Sequence, residues 1–314
     1  MAERESLVST YGTNVRINKS AQWATRKLLQ LLWRGAPRLA ERIVEKAFFS
    51  PTSPPPSAEQ RRWLDRGEPF HLRVHDKRIR GWRWGTGPGV LLVHGWNGRG
   101  IQLHRFIAPL VDAGYAAIAF DGPAHGASEG RSTSYFEFTD TVRALIGPDR
   151  RLDIRGVIAH SFGAGAAVNG LAHEGLAVKS VLLAPALRLR DLLVHSFDRH
   201  GIPSPLYESM ISAYENRFGY TLQGDDPHLH LNDLRSPVLV IHDHDDPIIP
   251  HRDSRSVSRG FGHVKLHTTH GLGHKRILAD PEVVEAAMAH LLGPEPGTMD
   301  SGIPKSRCIS ALSG

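Results

Sequence analysis

Cysteine is nearly missing from this sequence. Cys308 is the single cysteine in 314 residues, so no disulfide can close within the chain, and without a CxxC or Cys/His pair a thiolate metal site is excluded. A reducing compartment is compatible with that. Long apolar runs are missing too. No stretch approaches the ~20 apolar residues needed to cross a bilayer. The first thirty residues carry acids at Glu3 and Glu5 and hold no apolar core of a secretory signal. A soluble, cytoplasmic protein is the expectation. The pI of 9.6 is basic, but there is no nucleic-acid-binding motif and no basic-aromatic sheet pattern to read bases, so nucleic acid is not an expected partner.

What is present is ordinary globular composition. A hydrophobic fraction of 40% with 22% charged residues is enough for a sizeable core, and predicts one large α/β domain with extensions. The charge is unevenly placed. Residues 1–67 hold 12 Lys/Arg against 6 Asp/Glu, which is the whole of the net +6, while the rest of the chain balances at 26 against 26. Within the basic segment, 20–34 and 37–48 read as two helices. Leu28 and Leu32, then Leu39, Ile43 and Ala47, recur at helical spacing, and Gly35 with Pro37 punctuates between them. The run SPTSPPPS at 50–57 cannot continue a helix and reads as an extended linker. Residues 1–67 are thus expected to form a helical extension with a Pro-rich linker, and 68–292 the main domain. The tail 293–314, rich in Gly, Pro and Ser without periodicity, is expected to be disordered.

From Phe70 the pattern changes to strands. HLRVH and RIRGWRW predict a hairpin turning at Asp76-Lys77. VLLVH (90–94), AAIAF (116–120), GVIAH (156–160), VKSVLLA (178–184), PVLVIH (237–242) and HVKLHTT (263–269) follow. Most are near-continuous apolar runs, the mark of parallel strands covered on both faces, so a doubly wound, mostly parallel α/β sheet is predicted. The stretch 185–236 exceeds a simple crossover. Leu206, Met210, Tyr214 and Phe218 recur in it every four residues, giving one apolar helical face that belongs to a packing helix or to a small lid over the site.

Chemistry concentrates at a few places. GVIAHSFGAGAA sets Ser161 directly after an apolar strand and before a segment of small residues, as a nucleophile elbow requires, with Ala159 where the first glycine of G-x-S-x-G usually stands. The bland alternative is a serine that caps a helix. A serine hydroxyl needs a base to remove its proton. Downstream, HDHDDPIIP places Asp246 after a buried strand and HGLGHKRIL places His274 after the last one, 85 and 28 residues apart, in the order serine, acid, histidine. Asp243 and Asp245 compete for the acid and His270 for the base. The Asp-Pro-Ile-Ile-Pro context favours Asp246, and Gly271 with Gly273 suggests a bent loop presenting His274. After VLLVH, the loop His94-Gly95-Trp96 should supply an oxyanion-hole donor from the Trp96 amide, the other coming from Phe162. His94 is expected to brace backbone.

VLLVHGW, FDGPAHGASEG, IAHSFGAG, LVIHDHDDPIIP and GLGHKRI, in that order across 68–292, resemble the α/β-hydrolase superfamily in its lipase, esterase and peptidase branch. The resemblance implies an α/β-hydrolase fold with a small helical lid. It implies a serine carboxylesterase-like enzyme acting on a small-molecule ester, or on a thioester or small amide, through an acyl-enzyme, with no cofactor. It also implies that Asp121, His125, Gly126 and Ser128 form a loop supporting the site, with Ala124 where a glycine is commoner. Two rivals are weighed. One is a catalytically silent binding protein on the same fold. The other is a metal-dependent hydrolase, since His242-Asp243-His244-Asp245-Asp246 begins an H-x-H-x-D-H motif that Pro247 breaks. For the extension, a basic row at Arg34, Arg38, Arg42 and Lys46 beside apolar residues leaves two readings. It docks on the domain, which Glu41 and Glu45 favour by interrupting the basic surface, or it makes peripheral contact with anionic membrane through Trp23, Leu28, Leu32 and Trp33. Oligomeric state is not legible.

Overall fold

The structure is a computed structural model describing residues 19–147 and 152–293. The tail expected to be disordered lies outside these residues but for Gly293. The described chain opens with helices α1 (Lys19–Gly35), α2 (Pro37–Phe48) and α3 (Ala58–Arg66). Strands β1 (Glu68–Val74) and β2 (Lys77–Trp84) follow as an antiparallel hairpin. Val74 pairs with Lys77, so the two turn residues are His75 and Asp76, one position earlier than the sequence suggests. His75 takes the positive φ, 51°, that such a tight turn demands.

Six strands complete the sheet: β3 (Gly89–Val93), β4 (Ala116–Phe120), β5 (Ile154–His160), β6 (Lys179–Leu183), β7 (Val238–Asp243) and β8 (Val264–Thr269). The spatial order is β1-β2-β4-β3-β5-β6-β7-β8, with β2 antiparallel to β4 and every later pair parallel. These runs are strands because each is short, rich in branched apolar residues, and covered on both faces. The alternation is visible in β3. Val90 and Leu92 join one buried cluster with Phe106, Ile107 and Leu110, while Leu91 and Val93 join the other with Phe138 and Val142. Each such side chain contributes about 1.5–3 kcal/mol when fully buried.

Crossovers supply the covering layers in chain order: α4 (Ile107–Asp112), α5 (Tyr135–Ile146), α6 (Ser161–Glu174), α7 (Leu189–Arg199), α8 (Ser204–Phe218), α9 (Pro227–His230), α10 (His251–Ser258), α11 (Gly273–Arg276) and α12 (Pro281–Leu292). One sheet face packs on α4 and α12, with Trp63 and Leu64 of α3 at its margin; the other packs on α5, α6 and α10. The long stretch after β6 forms α7, α8 and α9, with Leu206 and Met210 buried and Tyr214 and Phe218 packed at the edge of the core.

The extension packs against α7 and α8, and of the stripe its spacing singles out Leu32 packs there, beside a second set of residues. Leu29, Ala40 and Val44 are buried beside Phe197, Leu206 and Met210, whereas Leu28, Leu39 and Ile43 point outward. Glu41 and Glu45 face inward, accepting hydrogen bonds from Ser209 Oγ at 2.9 Å and Tyr214 Oη at 2.7 Å. The proline-rich run after α2 lies across the sheet's carboxyl edge as a strap. Phe49 O accepts from Thr133 N at 2.8 Å, Thr52 N donates to Asn97 Oδ1 at 2.7 Å, and Ser53 Oγ donates to Gly98 O at 2.7 Å. Its far end is fixed by a capping box on α3, in which Ser57 Oγ accepts from Gln60 N and Gln60 Oε1 from Ser57 N.

Candidate active site

Ser161 sits where β5 ends and α6 begins, at φ 55°, a left-handed conformation that costs a non-glycine residue about 1–2 kcal/mol. The turn is so sharp that the first turn of α6 presses on the preceding loops. A Cβ at Gly163 would run into the His94 carbonyl, and one at Gly95 would come within 3.0 Å of Ser161 Cβ. Small residues at these positions are therefore a steric requirement.

Asp246 and His274 come to this serine from loops after β7 and β8. Ser161 Oγ lies 2.9 Å from His274 Nε2, and His274 Nδ1 lies 2.7 Å from Asp246 Oδ2. An ionised carboxylate only accepts, so Nδ1–H donates to Asp246 and Nε2 is left to accept from the serine hydroxyl. Asp246 is wholly enclosed. Its Oδ1 accepts from the amides of Ile248 at 2.7 Å and Ile249 at 3.0 Å, and His242 Nε2 reaches Oδ2 at 3.2 Å. Burial pushes its pKa up, but the hydrogen bonds from His242 and His274 outweigh that and hold the carboxyl below the usual carboxylate range.

The competing candidates are elsewhere. Asp243 is buried and braces the loop, accepting from Thr269 Oγ1 at 2.8 Å, Leu272 N at 3.0 Å and Asp245 N at 3.0 Å. Asp245 is exposed and accepts from Gly271 N. His270 is exposed, its ring beside that of His244. The residues of the metal-like pentad diverge. His242 is buried, while His244 and Asp245 point outward with His270 in a group whose ligand atoms lie within 4.8 Å of one another. His173, Asp225 and His230 form a second such group. Both groups could offer ligands to a metal ion, and neither includes the serine, Asp246 or His274.

Trp96 and Phe162 flank the serine. The Phe162 amide is in the first turn of α6 and has no intrahelical acceptor, and the Trp96 amide has no acceptor among the described residues. Their rings meet edge to face at 5.1 Å. His94 braces the loop below: its Nε2 accepts from Gly122 N at 2.8 Å, while Nδ1 donates to Gly95 O. Asp121 ties the neighbouring turn, accepting from Gly100 N at 2.8 Å and Ala127 N at 2.7 Å, and Ser128 Oγ donates to Asp121 O. Ala124 carries φ 60°, which explains why glycine suits that position.

Two positions were not legible as site residues in the sequence. His242 joins Asp246 to α10, its Nδ1 accepting from Ser254 Oγ at 2.7 Å while Nε2–H is shared between Asp246 and Ile249 O. His160, just before the serine, donates from Nε2 to the His274 carbonyl at 3.0 Å, and its ring lies tilted against that of His274 with centroids 4.8 Å apart. Burial, then the neighbouring His274 charge, pushes its pKa down to about 3. The only signal for either was a histidine at the carboxyl end of a strand.

Two cavities meet here. A cleft of about 410 Å³ holds Ser161 and His274 and is walled by polar or basic Gln60, Arg99, Gln102 and Lys275, with Pro54 and Pro55 of the strap on its rim. A chamber of about 340 Å³ is lined mainly by aromatic and aliphatic side chains, among them Phe49, Trp96, Phe162, Phe197 and Tyr214. Thr52, Trp96 and Asn97 line both.

The alpha/beta hydrolase family profile matches residues 90–287. A curated relative, the non-heme chloroperoxidase CPO-A1 of Kitasatospora aureofaciens, is 31% identical over 134 residues, which span 40% of this chain and 46% of that protein, so the chain matches less than half of the relative's length. Among solved structures, Est1E from Butyrivibrio proteoclasticus with ferulic acid bound superposes with TM-score 0.57 at 18% identity, over 70% of this chain and 96% of its own. The Pyrococcus furiosus esterase Pf2001 gives TM-score 0.57 at 19% identity, over 77% and 98%.

Proposed function

The chain belongs to the alpha/beta hydrolase family, and on that premise we propose that it is a serine hydrolase that cleaves a carboxylic ester through an acyl-enzyme on Ser161. The observation that carries this reading is the continuous chain Ser161 Oγ, His274 Nε2, His274 Nδ1, Asp246 Oδ2, with links of 2.9 and 2.7 Å.

Each group then has one task. His274 takes the hydroxyl proton as Ser161 Oγ attacks the carbonyl carbon, and Asp246, held ionised by its four donors, orients the imidazole and stabilises its charged form. The Trp96 and Phe162 amides receive the developing oxyanion, each such donor being worth about 2.7–4 kcal/mol in comparable sites. His274 returns its proton to the leaving oxygen, which departs as the alcohol. Water, deprotonated by the same histidine, attacks the acyl carbon and frees Ser161. With the carbonyl oxygen between those two amides, the acyl group lies against the Trp96 and Phe162 rings and enters the apolar chamber, leaving the polar cleft for the leaving group. A thioester or small amide follows the same route with a different leaving atom.

Fluorophosphonate labelling and hydrolysis of p-nitrophenyl butyrate test the reading. The folded wild-type protein is expected to do both and Ser161→Ala neither, with a loss of about 10⁴-fold or more in kcat. Labelling that persisted in the variant would place the nucleophile elsewhere, and a folded wild type inert in both assays would favour the silent binding protein.

A further inference from the structure

We propose that the outer face of the α1–α2 hairpin is a contact surface for anionic lipid bilayers, lying flat on the headgroups beside the acyl chamber. The inference is independent of what Ser161 cleaves.

The inward stripe of Leu29, Ala40 and Val44 accounts for the docking of the two helices on α7 and α8. It leaves a second apolar set unexplained. Of the seven large hydrophobic side chains exposed among the described residues, five belong to this hairpin: Trp23 at 64%, Leu28 at 59%, Leu31 at 67%, Leu39 at 50% and Ile43 at 45%. Apolar residues scattered singly over a surface are normal; a cluster on one supersecondary unit marks an interaction face.

Charge selects the occupant. At 100° per residue Leu31 is roughly opposite Leu29, and Lys27 and Arg34 share its side of α1; on α2, Arg42 and Lys46 flank Leu39 and Ile43 in the same way. Lys27, Arg34, Arg38, Arg42 and Lys46 are all exposed, and none is in an ion pair among the described residues. The only two carboxylates within α1 and α2, Glu41 and Glu45, are turned inward to Ser209 and Tyr214. The acids that seemed to break the basic surface in sequence are therefore absent from the face itself, which is cationic and apolar with an exposed tryptophan. That is the make-up of a helix that buries apolar side chains at the acyl-headgroup boundary while Lys and Arg engage anionic lipid. No helix among the described residues is long and apolar enough to cross a membrane, so contact is interfacial. Ala47 and Phe48, at the end of α2, also line the chamber. The helix that meets the bilayer thus forms part of the wall for an apolar group coming from it.

Co-sedimentation of the full chain with vesicles tests this. Binding is expected to vesicles of phosphatidylglycerol and phosphatidylcholine in equal parts, to fall as salt is raised, and to be weak on phosphatidylcholine alone. Arg38→Gln and Arg42→Gln should each weaken partitioning about fivefold. The double variant Leu31→Ser/Ile43→Ser should abolish it at unchanged melting temperature and unchanged hydrolysis of a water-soluble ester. A wild type that stays in the supernatant with anionic vesicles overturns the proposal. So does binding that appears only once residues 1–18 are removed, which would make that segment the occupant, or a dimer in buffer that Leu31→Ser/Ile43→Ser splits, which would make it a second copy.

Discussion

His242 Nε2 lies 3.2 Å from Asp246 Oδ2, the oxygen that also receives His274 Nδ1–H. Because Ser254 Oγ donates to His242 Nδ1, the proton of this imidazole stands on Nε2 and points at the acid. On the proposed mechanism His242 is thus a positioning residue, donating to the same carboxylate oxygen as His274. His242→Phe is expected to lower kcat about ten- to a hundredfold by letting the carboxylate turn, and to shift the acid limb of the pH–rate profile. His242→Gln, which keeps an N–H donor, should recover much of both. Equal losses in the two variants with an unmoved pH profile would reduce His242 to a packing residue.

The three neighbouring aspartates should separate by kind of damage. Asp246→Asn is expected to cost about 10⁴-fold in kcat with the fold retained, since it misdirects the imidazole proton. Asp243→Asn should instead lower stability by about 1–3 kcal/mol, because the amide cannot accept all the donors that converge on it. Asp245→Asn, at the surface, should change little. Melting temperature alongside kcat per active site distinguishes the three.

Stability should fall steeply on mild acidification. Burial holds His160 down to about 3, His125 to about 4 and His94 well below its ordinary value, while in the unfolded chain each titrates near 6.5. Between about pH 6.5 and 4 the unfolded state therefore binds up to three protons that the folded state does not, and stability drops by about 1.4 kcal/mol per pH unit for each histidine. Above that window these groups impose no slope. Asp121, Asp226 and Asp253, all raised by burial, oppose the trend with up to one proton each. His251 and His290, lowered by burial, add to it, and the depressed Asp246 adds its loss only below about pH 4. Denaturant midpoints across pH 4 to 8 would check this, and a flat profile would contradict neutral burial of the three imidazoles.

Acyl length should matter in a stepwise way. Each methylene moved into the chamber is worth about 0.8 kcal/mol, or roughly fourfold in kcat/KM, until the volume of about 340 Å³ is filled. Ile211 also lines the chamber, and Ile211→Trp, which puts an indole there, should depress octanoyl ester hydrolysis at least about tenfold while leaving acetyl esters nearly untouched. A uniform effect on both would mean that the acyl group lies elsewhere.

The local sequence was enough to identify the sheet and to set Ser161 at a sharp strand-to-helix turn. Continuous apolar runs such as Val90–Val93 and small residues such as Gly163 are demanded by covered strands and by backbone contact, and both demands are written in neighbouring positions. The choice of Asp246 among three acids leaned on motif context, since one peptide step in a turn redirects a side chain entirely; the contact with His274, 28 residues on, is made only in the folded loops. His242, buried on the same carboxylate, was hidden in a run that looked like a metal motif. In the extension both sides of the helices are apolar, so periodicity could not say whether Leu29, Ala40 and Val44 or Leu28, Leu39 and Ile43 turn inward. Packing against Phe197, Leu206 and Met210 decided that, and with it placed a proline-rich strap over the serine cleft that reads in sequence as a mere connection.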